Sequence, residues 1–165
     1  MTQNFFIFGN HPQLGNAELD AVLEGEWSEG CGGFAIVGDC KNMEEIFTQL
    51  GGSVKCGVVV GEARLDMIAH QLCDYIIHNR KIDQKVFFGL SAYGARLNTR
   101  RAGLAIKKML AKQCASSRFV VSRDPALSSV VVQTNKLLSN RGIELVFLFC
   151  GNKWYFGETR AVQHF

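Results

Sequence analysis

Hydrophobic positions follow one rhythm in the first third of the chain and another after residue 64. The aromatic run at residues 4–9, Asn-Phe-Phe-Ile-Phe-Gly, predicts a strand. Pro12 and Gly15 predict a loop, followed by a helix from an Asn16 cap with Ala17, Leu19, Ala21, Val22 and Leu23 at near-helical spacing and Gly25 as its stop. The glycine-rich residues 26–33 predict an irregular strand and a turn, and residues 34–38 a firmer strand. A short helix capped at Asn42 then ends at Gly51-Gly52, and a strand covers residues 53–61. The order is β-α-β-β-α-β, the split β-α-β or ferredoxin-like plan.

Beyond Arg64, Leu65, Ile68, Leu72, Tyr75 and Ile76 keep an i, i+3/i+4 spacing that predicts a helix to about Arg80. A strand at 85–91, the turn from Ala92, a helix near 98–114, a strand at 118–122 and a helix from Ser128 to about Leu138 follow. Strands at 143–149 and 153–163 are joined by Gly151-Asn152, a hairpin signal. The fold class is α/β (α+β): a βαββαβ module, then an α-β-α-β-α-β-β module, meeting near residues 60–66. A single sheet running across that boundary would count against two modules.

Charge sharpens the division. Of the 165 residues, 1–64 hold three basic and nine acidic side chains, and 65–165 hold fifteen and six, so a net +3 conceals −6 and +9. Only the second module suits a polyanion. On a helical wheel Arg100, Arg101, Lys107, Lys108 and Lys112 fall within roughly 140°, with Ala102, Ile106, Met109 and Leu110 opposite. Arg118 and Arg123 bracket the next strand, and Ser128-Ser129 opens a helix whose N-terminus favours an anion, with Asn135 and Lys136 nearby. The bland alternative is a solvated helix face. Tyr93 suits stacking on a base or packing against its own domain equally well.

Other chemistry is missing. There is no G-x-S-x-G, Walker loop, H-E-x-x-H or G-x-G-x-x-G pattern, and the glycines at 30, 32 and 33 do not open a helix. His70 and His78 share a face only loosely, and Glu44 and Glu45 point apart. Six scattered cysteines lack metal-ligand spacing and read as buried or semi-buried thiols in a reducing compartment. Neither a signal sequence nor a membrane-spanning run is present, and a cytoplasmic location is expected.

Five segments carry a family resemblance: residues 4–23, 50–57, 88–94, 126–138 and 157–165. Their sequences, NFFIFGNHPQLGNAELDAVL, LGGSVKCG, FGLSAYG, ALSSVVVQTNKLL and GETRAVQHF, resemble in order the N-terminal part of THUMP-domain tRNA guanine-N2 methyltransferases. The resemblance implies a ferredoxin-like domain over 1–63, a THUMP domain over 64–160 that meets the acceptor stem and single-stranded 3′ end of tRNA, and the start of a linker over 161–165. It also implies a following domain that binds S-adenosylmethionine. That domain's Asn/Asp-Pro-Pro-aromatic motif is missing, the only prolines being Pro12 and Pro125, and His164 stands where an acidic residue is expected.

The expectation is therefore a non-catalytic tRNA-binding module with no cofactor of its own, presenting tRNA to a methyltransferase domain in cis or trans. Phosphate contacts would dominate its affinity. The alternatives are a scaffold docking an acidic protein through the basic face and a small-ligand enzyme.

Overall fold

The computed structural model describes residues 2–23 and 27–164. The strands are β1 (Gln3–Phe8), β2 (Trp27–Gly30), β3 (Phe34–Val37), β4 (Ser53–Glu62), β5 (Val86–Tyr93), β6 (Ser117–Val120), β7 (Gly142–Cys150) and β8 (Lys153–Val162). The helices are α1 (Pro12–Val22), α2 (Met43–Gln49), α3 (Ile68–Asn79), α4 (Thr99–Lys112) and α5 (Ser129–Thr134), with a 3-10 turn over Leu65–Met67 leading into α3. The expected stop at Gly25 and the start of the irregular strand at Glu26 lie outside the described residues. Helix α1 begins at Pro12 and not at Asn16, because proline is pre-set for the first helical turn. Gly15, expected in the loop, lies inside α1, where a Cβ would sit 2.3 Å from the Phe8 ring.

All eight strands join in one sheet, in the order β2-β3-β1-β4-β8-β7-β5-β6. The first four strands are mutually antiparallel in the split β-α-β order expected of them. Strand β5 runs parallel to β6 and β7, and β8 is antiparallel to β7. The sheet is continuous across the boundary near residues 60–66, which corrects the expectation of a break there: β4 pairs with β8 from Lys55↔Val162 to Glu62↔Tyr155. Two exposed central edges would otherwise have been left without hydrogen-bond partners, and pairing them satisfies both.

Alternation along the strands sends side chains to two faces. On the outer face α1 and α2 cover Phe6, Phe8, Ala35, Val37 and Cys56, while α3 and α4 cover Phe88, Leu90, Ile143, Leu145, Phe147 and Phe156. On the inner face Phe5, Ile7, Phe34 and Ile36 pack against Val146 and Leu148, although β4 and β8 stand between β1 and β7. The sheet must curl for these to meet. Glycine allows it, because the Phe5 ring occupies the space where Cβ atoms at Gly57 and Gly157 would sit, 2.5 Å and 2.8 Å from it.

A covalent link closes the curl: Cys31 and Cys150, separated by 119 residues in sequence, form a disulfide with Cα atoms 5.9 Å apart. The reading of all six cysteines as thiols is corrected for this pair, while Cys40, Cys56, Cys73 and Cys114 are free. Sequence spacing shows such a pair only when it is local, and this one forms through the curl.

Candidate nucleic-acid interface

Helix α4 is where local sequence and packing agree best. The Asn98 side chain accepts a hydrogen bond from the Arg101 N–H at 3.0 Å and caps the helix. Ala102, Gly103, Ile106 and Leu110 are buried, with Met109 half-buried. At Gly103 the helix comes down onto Phe119 of β6, whose ring stacks on Phe88 at 5.0 Å. Arg100, Arg101, Lys107, Lys108 and Lys112 consequently all face solvent. Among them stands Leu104, an exposed apolar side chain that charge counting passes over.

The loops leaving the carboxyl ends of β5 and β6 frame a crevice of about 800 Å³. Arg96 and Arg100 come from the β5–α4 side and Arg123 from the β6–α5 side, with Asp124 the one acid and Val121 exposed between them. A right-handed crossover from β5 out to β6 puts α4 on the outer face, and the return from β6 to β7 puts α5 on the inner face. The two connections part here, and such a switch point in an α/β sheet is where ligands bind. Arg96 was not among the sequence candidates; its signal was its place between a strand end and a basic helix.

The same crossover rule separates the basic helix from the helix that Ser128 opens. Phe88 and Phe119 pack under α4, whereas Phe87 and Val120 pack under α5, so the two helices lie on opposite faces of the sheet. Arg118 precedes Phe119 and points to the α5 side. There it lines a hollow of about 390 Å³ with Asn135, Lys136 and Arg141. Arg141, also missed from sequence, lies over the Phe87 ring at 5.3 Å.

The α5 start differs from expectation too. The Ser128 hydroxyl is exposed and accepts from the Val131 N–H at 3.3 Å, acting as the cap. Ser129 is buried and donates to the Val54 carbonyl at 3.2 Å, so it is withdrawn as a ligand candidate. Helix α5 ends at Thr134, short of Leu138, because Lys136 turns to φ 57° and brings Leu137 into the core. Asn135 closes it by donating to the Val131 carbonyl at 2.9 Å.

Several of the other cations, by contrast, are paired with acids or lie among them. Arg80 and Arg160 pair with Glu158, Arg64 with Asp66, Lys153 with Glu62, and Lys55 is buried against Glu144. Lys41 shares a hollow with Asp39, Glu44 and Glu45. Residues 84–123 hold Lys85, Arg96, Arg100, Arg101, Lys107, Lys108, Lys112, Arg118 and Arg123 without one acid. None of these nine side chains forms an ion pair among the described residues. A field of one sign without internal compensation suits a polyanion.

Tyr93 packs half-buried against the inner core beside Cys31 and Cys150 and lines a groove with its remaining surface. Burial, with the nearby Glu144 carboxylate adding, pushes its phenol well above the ordinary range, so it stays neutral. His70 and His78 are exposed on α3, and the described residues contain no group of three or more His, Cys, Asp or Glu able to hold a metal. No helix among the described residues is long and apolar enough to cross a membrane.

No protein-family model and no curated protein sequence matches the chain. Solved structures do. TrmN from Thermus thermophilus aligns over 99% of this chain with a TM-score of 0.54 and 9% identity, and the aligned part is 46% of TrmN. A 4-thiouridine synthetase, solved with RNA and bound ATP, aligns over 99% with a TM-score of 0.50 and 8% identity, across 42% of its own length. The chain spans less than half of either protein. At these identities the likeness shows the fold, the mixed α/β arrangement expected of a THUMP-containing region.

Proposed function

We propose that this chain is the RNA-capturing region of a tRNA-modifying methyltransferase, gripping the acceptor stem and unpaired 3′ end and presenting the tRNA to a separate methyltransferase domain. The observation that carries this reading is the acid-free run of residues 84–123, whose nine cations form no ion pair among the described residues. The solved complex of a structurally similar 4-thiouridine synthetase with RNA supports the same reading. Phosphates lie along α4 and in the crevice of Arg96, Arg100 and Arg123. Shape selects the helical stem, because the deep, narrow major groove of an RNA duplex hides its base edges from side chains.

The test is a titration of unmodified tRNA at two salt concentrations. Lys107→Glu with Lys108→Glu should weaken binding strongly and flatten the log–log salt slope by roughly one unit per lost phosphate contact. Lys41→Glu, already among carboxylates, should change little. Equal losses from the two reversals would place the RNA elsewhere. Tight, salt-sensitive binding of an acidic protein with none of tRNA would favour the scaffold reading.

A further inference from the structure

The cation field ends on a carboxylate. Residues 84–123 carry nine cations and no acid, and the next residue is Asp124. It lines the crevice of about 800 Å³ beside Arg96, Arg100 and Arg123 and is exposed to solvent. Its carboxylate makes no ion pair with these arginines and no hydrogen bond among the described residues. It therefore neither steadies the guanidiniums nor caps a helix, the cap of α5 being Ser128.

The backbone that carries it is held. The Asp124 N–H donates to the Ser122 hydroxyl at 3.2 Å. Pro125 restricts the backbone of the residue before it, and the Pro125 carbonyl accepts from the Ala92 N–H of β5 at 3.0 Å. An acceptor without a partner is thus kept at a fixed place among cations.

We propose that the Asp124 carboxylate accepts a hydrogen bond from a ribose 2′-hydroxyl of the bound RNA and makes the crevice select RNA over DNA. The inference rests on the RNA-binding reading above and deepens it. Arginines on phosphates are blind to the sugar, since both nucleic acids present the same backbone anion. A carboxylate only accepts, so beside phosphates it repels the ligand unless the ligand brings a donor. Within a paired stem most base donors are used in pairing, whereas the wide, shallow minor groove displays the 2′-hydroxyls. The rest of the lining agrees. Leu97, Val121 and Pro125 supply apolar surface for the face of a sugar, and the three arginines supply cations for the flanking phosphates. In DNA the donor is gone and the repulsion stays, so one side chain favours RNA and disfavours its competitor.

The experiment uses an RNA stem-loop and a set of copies that each carry one 2′-fluoro nucleotide, which keeps the RNA helix form and lacks the donor. Fluorescence anisotropy at one salt concentration gives the affinity of each for the wild-type chain, Asp124→Ala and Asp124→Asn. With wild type, substitution at one position or at two neighbours should weaken binding about tenfold or more, as loss of a hydrogen bond to a charged group does. The other positions should have no effect. Asp124→Ala should bind all copies alike, and should bind the sensitive copy more tightly than wild type does, because the repulsion leaves with the carboxylate. Asp124→Asn, which keeps an acceptor oxygen, should retain part of the discrimination at the same position. Wild-type indifference to every 2′-fluoro copy, or an equal gain for all copies in Asp124→Ala, would overturn the sugar assignment while RNA binding stood. So would sensitivity found only when inosine replaces guanosine, which would put a base amino group on the carboxylate. Failure of the wild-type chain to bind any stem-loop would overturn the RNA reading and the sugar assignment with it.

Discussion

Lys55 of β4 and Glu144 of β7, 89 residues apart in sequence, meet at 2.5 Å in the interior, one 1% and the other 0% exposed. The carboxylate also accepts from the Ser91 and Thr159 hydroxyls, each at 2.6 Å, so both of its oxygens have partners. The pair ties the first part of the chain to the last through the inner face of the curled sheet.

Removing one member should therefore be costly. Lys55→Met leaves Glu144 buried without its counter-charge and is expected to destabilise by about 3–5 kcal/mol. Urea unfolding should show it as a lower midpoint at unchanged slope. Loss of well under about 1 kcal/mol would mean that water reaches the carboxylate.

The shared sheet and inner core predict one cooperative unit. Residues 1–63 expressed alone lose the β8 partner of β4 and the Val146–Leu148 side of their core, and should lack a cooperative transition. The whole chain should unfold in a single step by circular dichroism and by fluorescence alike. Two separate transitions would show the halves to be independent.

Gly103 sets how closely α4 approaches β6. A Cβ there would lie 2.0 Å from the tip of the Phe119 ring, which is held in its stack with Phe88. Gly103→Val should cost about 1–3 kcal/mol by overpacking. It should also weaken RNA binding more than a remote variant of equal stability, because the cationic helix is displaced from the crevice.

The two charged faces can be separated. Arg101→Glu with Lys108→Glu alters the α4 face, and Arg118→Glu with Lys136→Glu the α5 face. If RNA touches α4 alone, only the first pair should reduce the salt slope, by about 0.9 per duplex phosphate contact. Reduction by both pairs would mean that the RNA passes around the β6 edge.

Thiol chemistry tests the core. Burial pushes the Cys56 thiol up to about 12, the Glu44 carboxylate adding to the shift, while Cys114 is exposed. At pH 8 an alkylating reagent should reach Cys114 first and Cys56 only on unfolding, with Cys31 and Cys150 labelled after reduction. A folded pKa above the ordinary 9.0 stabilises the fold below that pH. That contribution should fade as pH rises from about 9 towards 12, and Cys56→Ala should flatten this part of the alkaline profile.

Much of the fold was legible because it is local. Short continuous apolar runs at β1 and β7, the apolar stripe of α4 and the Gly151-Asn152 turn each carry their own signal, and that turn does take positive φ at both residues. What depends on strand order was not. Nothing near Lys55 announces Val162 as its neighbour, and without that pairing the sequence suggests two sheets. The opposite placement of α4 and α5 follows from handedness, but only once β6 is known to lie outside β5 and β7 inside it. Among the candidates the helix cations were readable from spacing alone. Ser129 was not, since its burial depends on Val54, 75 residues earlier.

The run of β1, β4 and β8 side by side also has a mechanical consequence. Strand β1 enters beside Val59 and leaves beside Ser53, while β8 enters beside Glu62 and leaves beside Lys55. The two run the same way with β4 between them, so tension applied at the two ends of the chain pulls them in opposite directions along their length. Both ladders are then loaded in shear, with many hydrogen bonds bearing the load at once and none opening singly from an end. A domain tethered at both ends would hold its shape under pull.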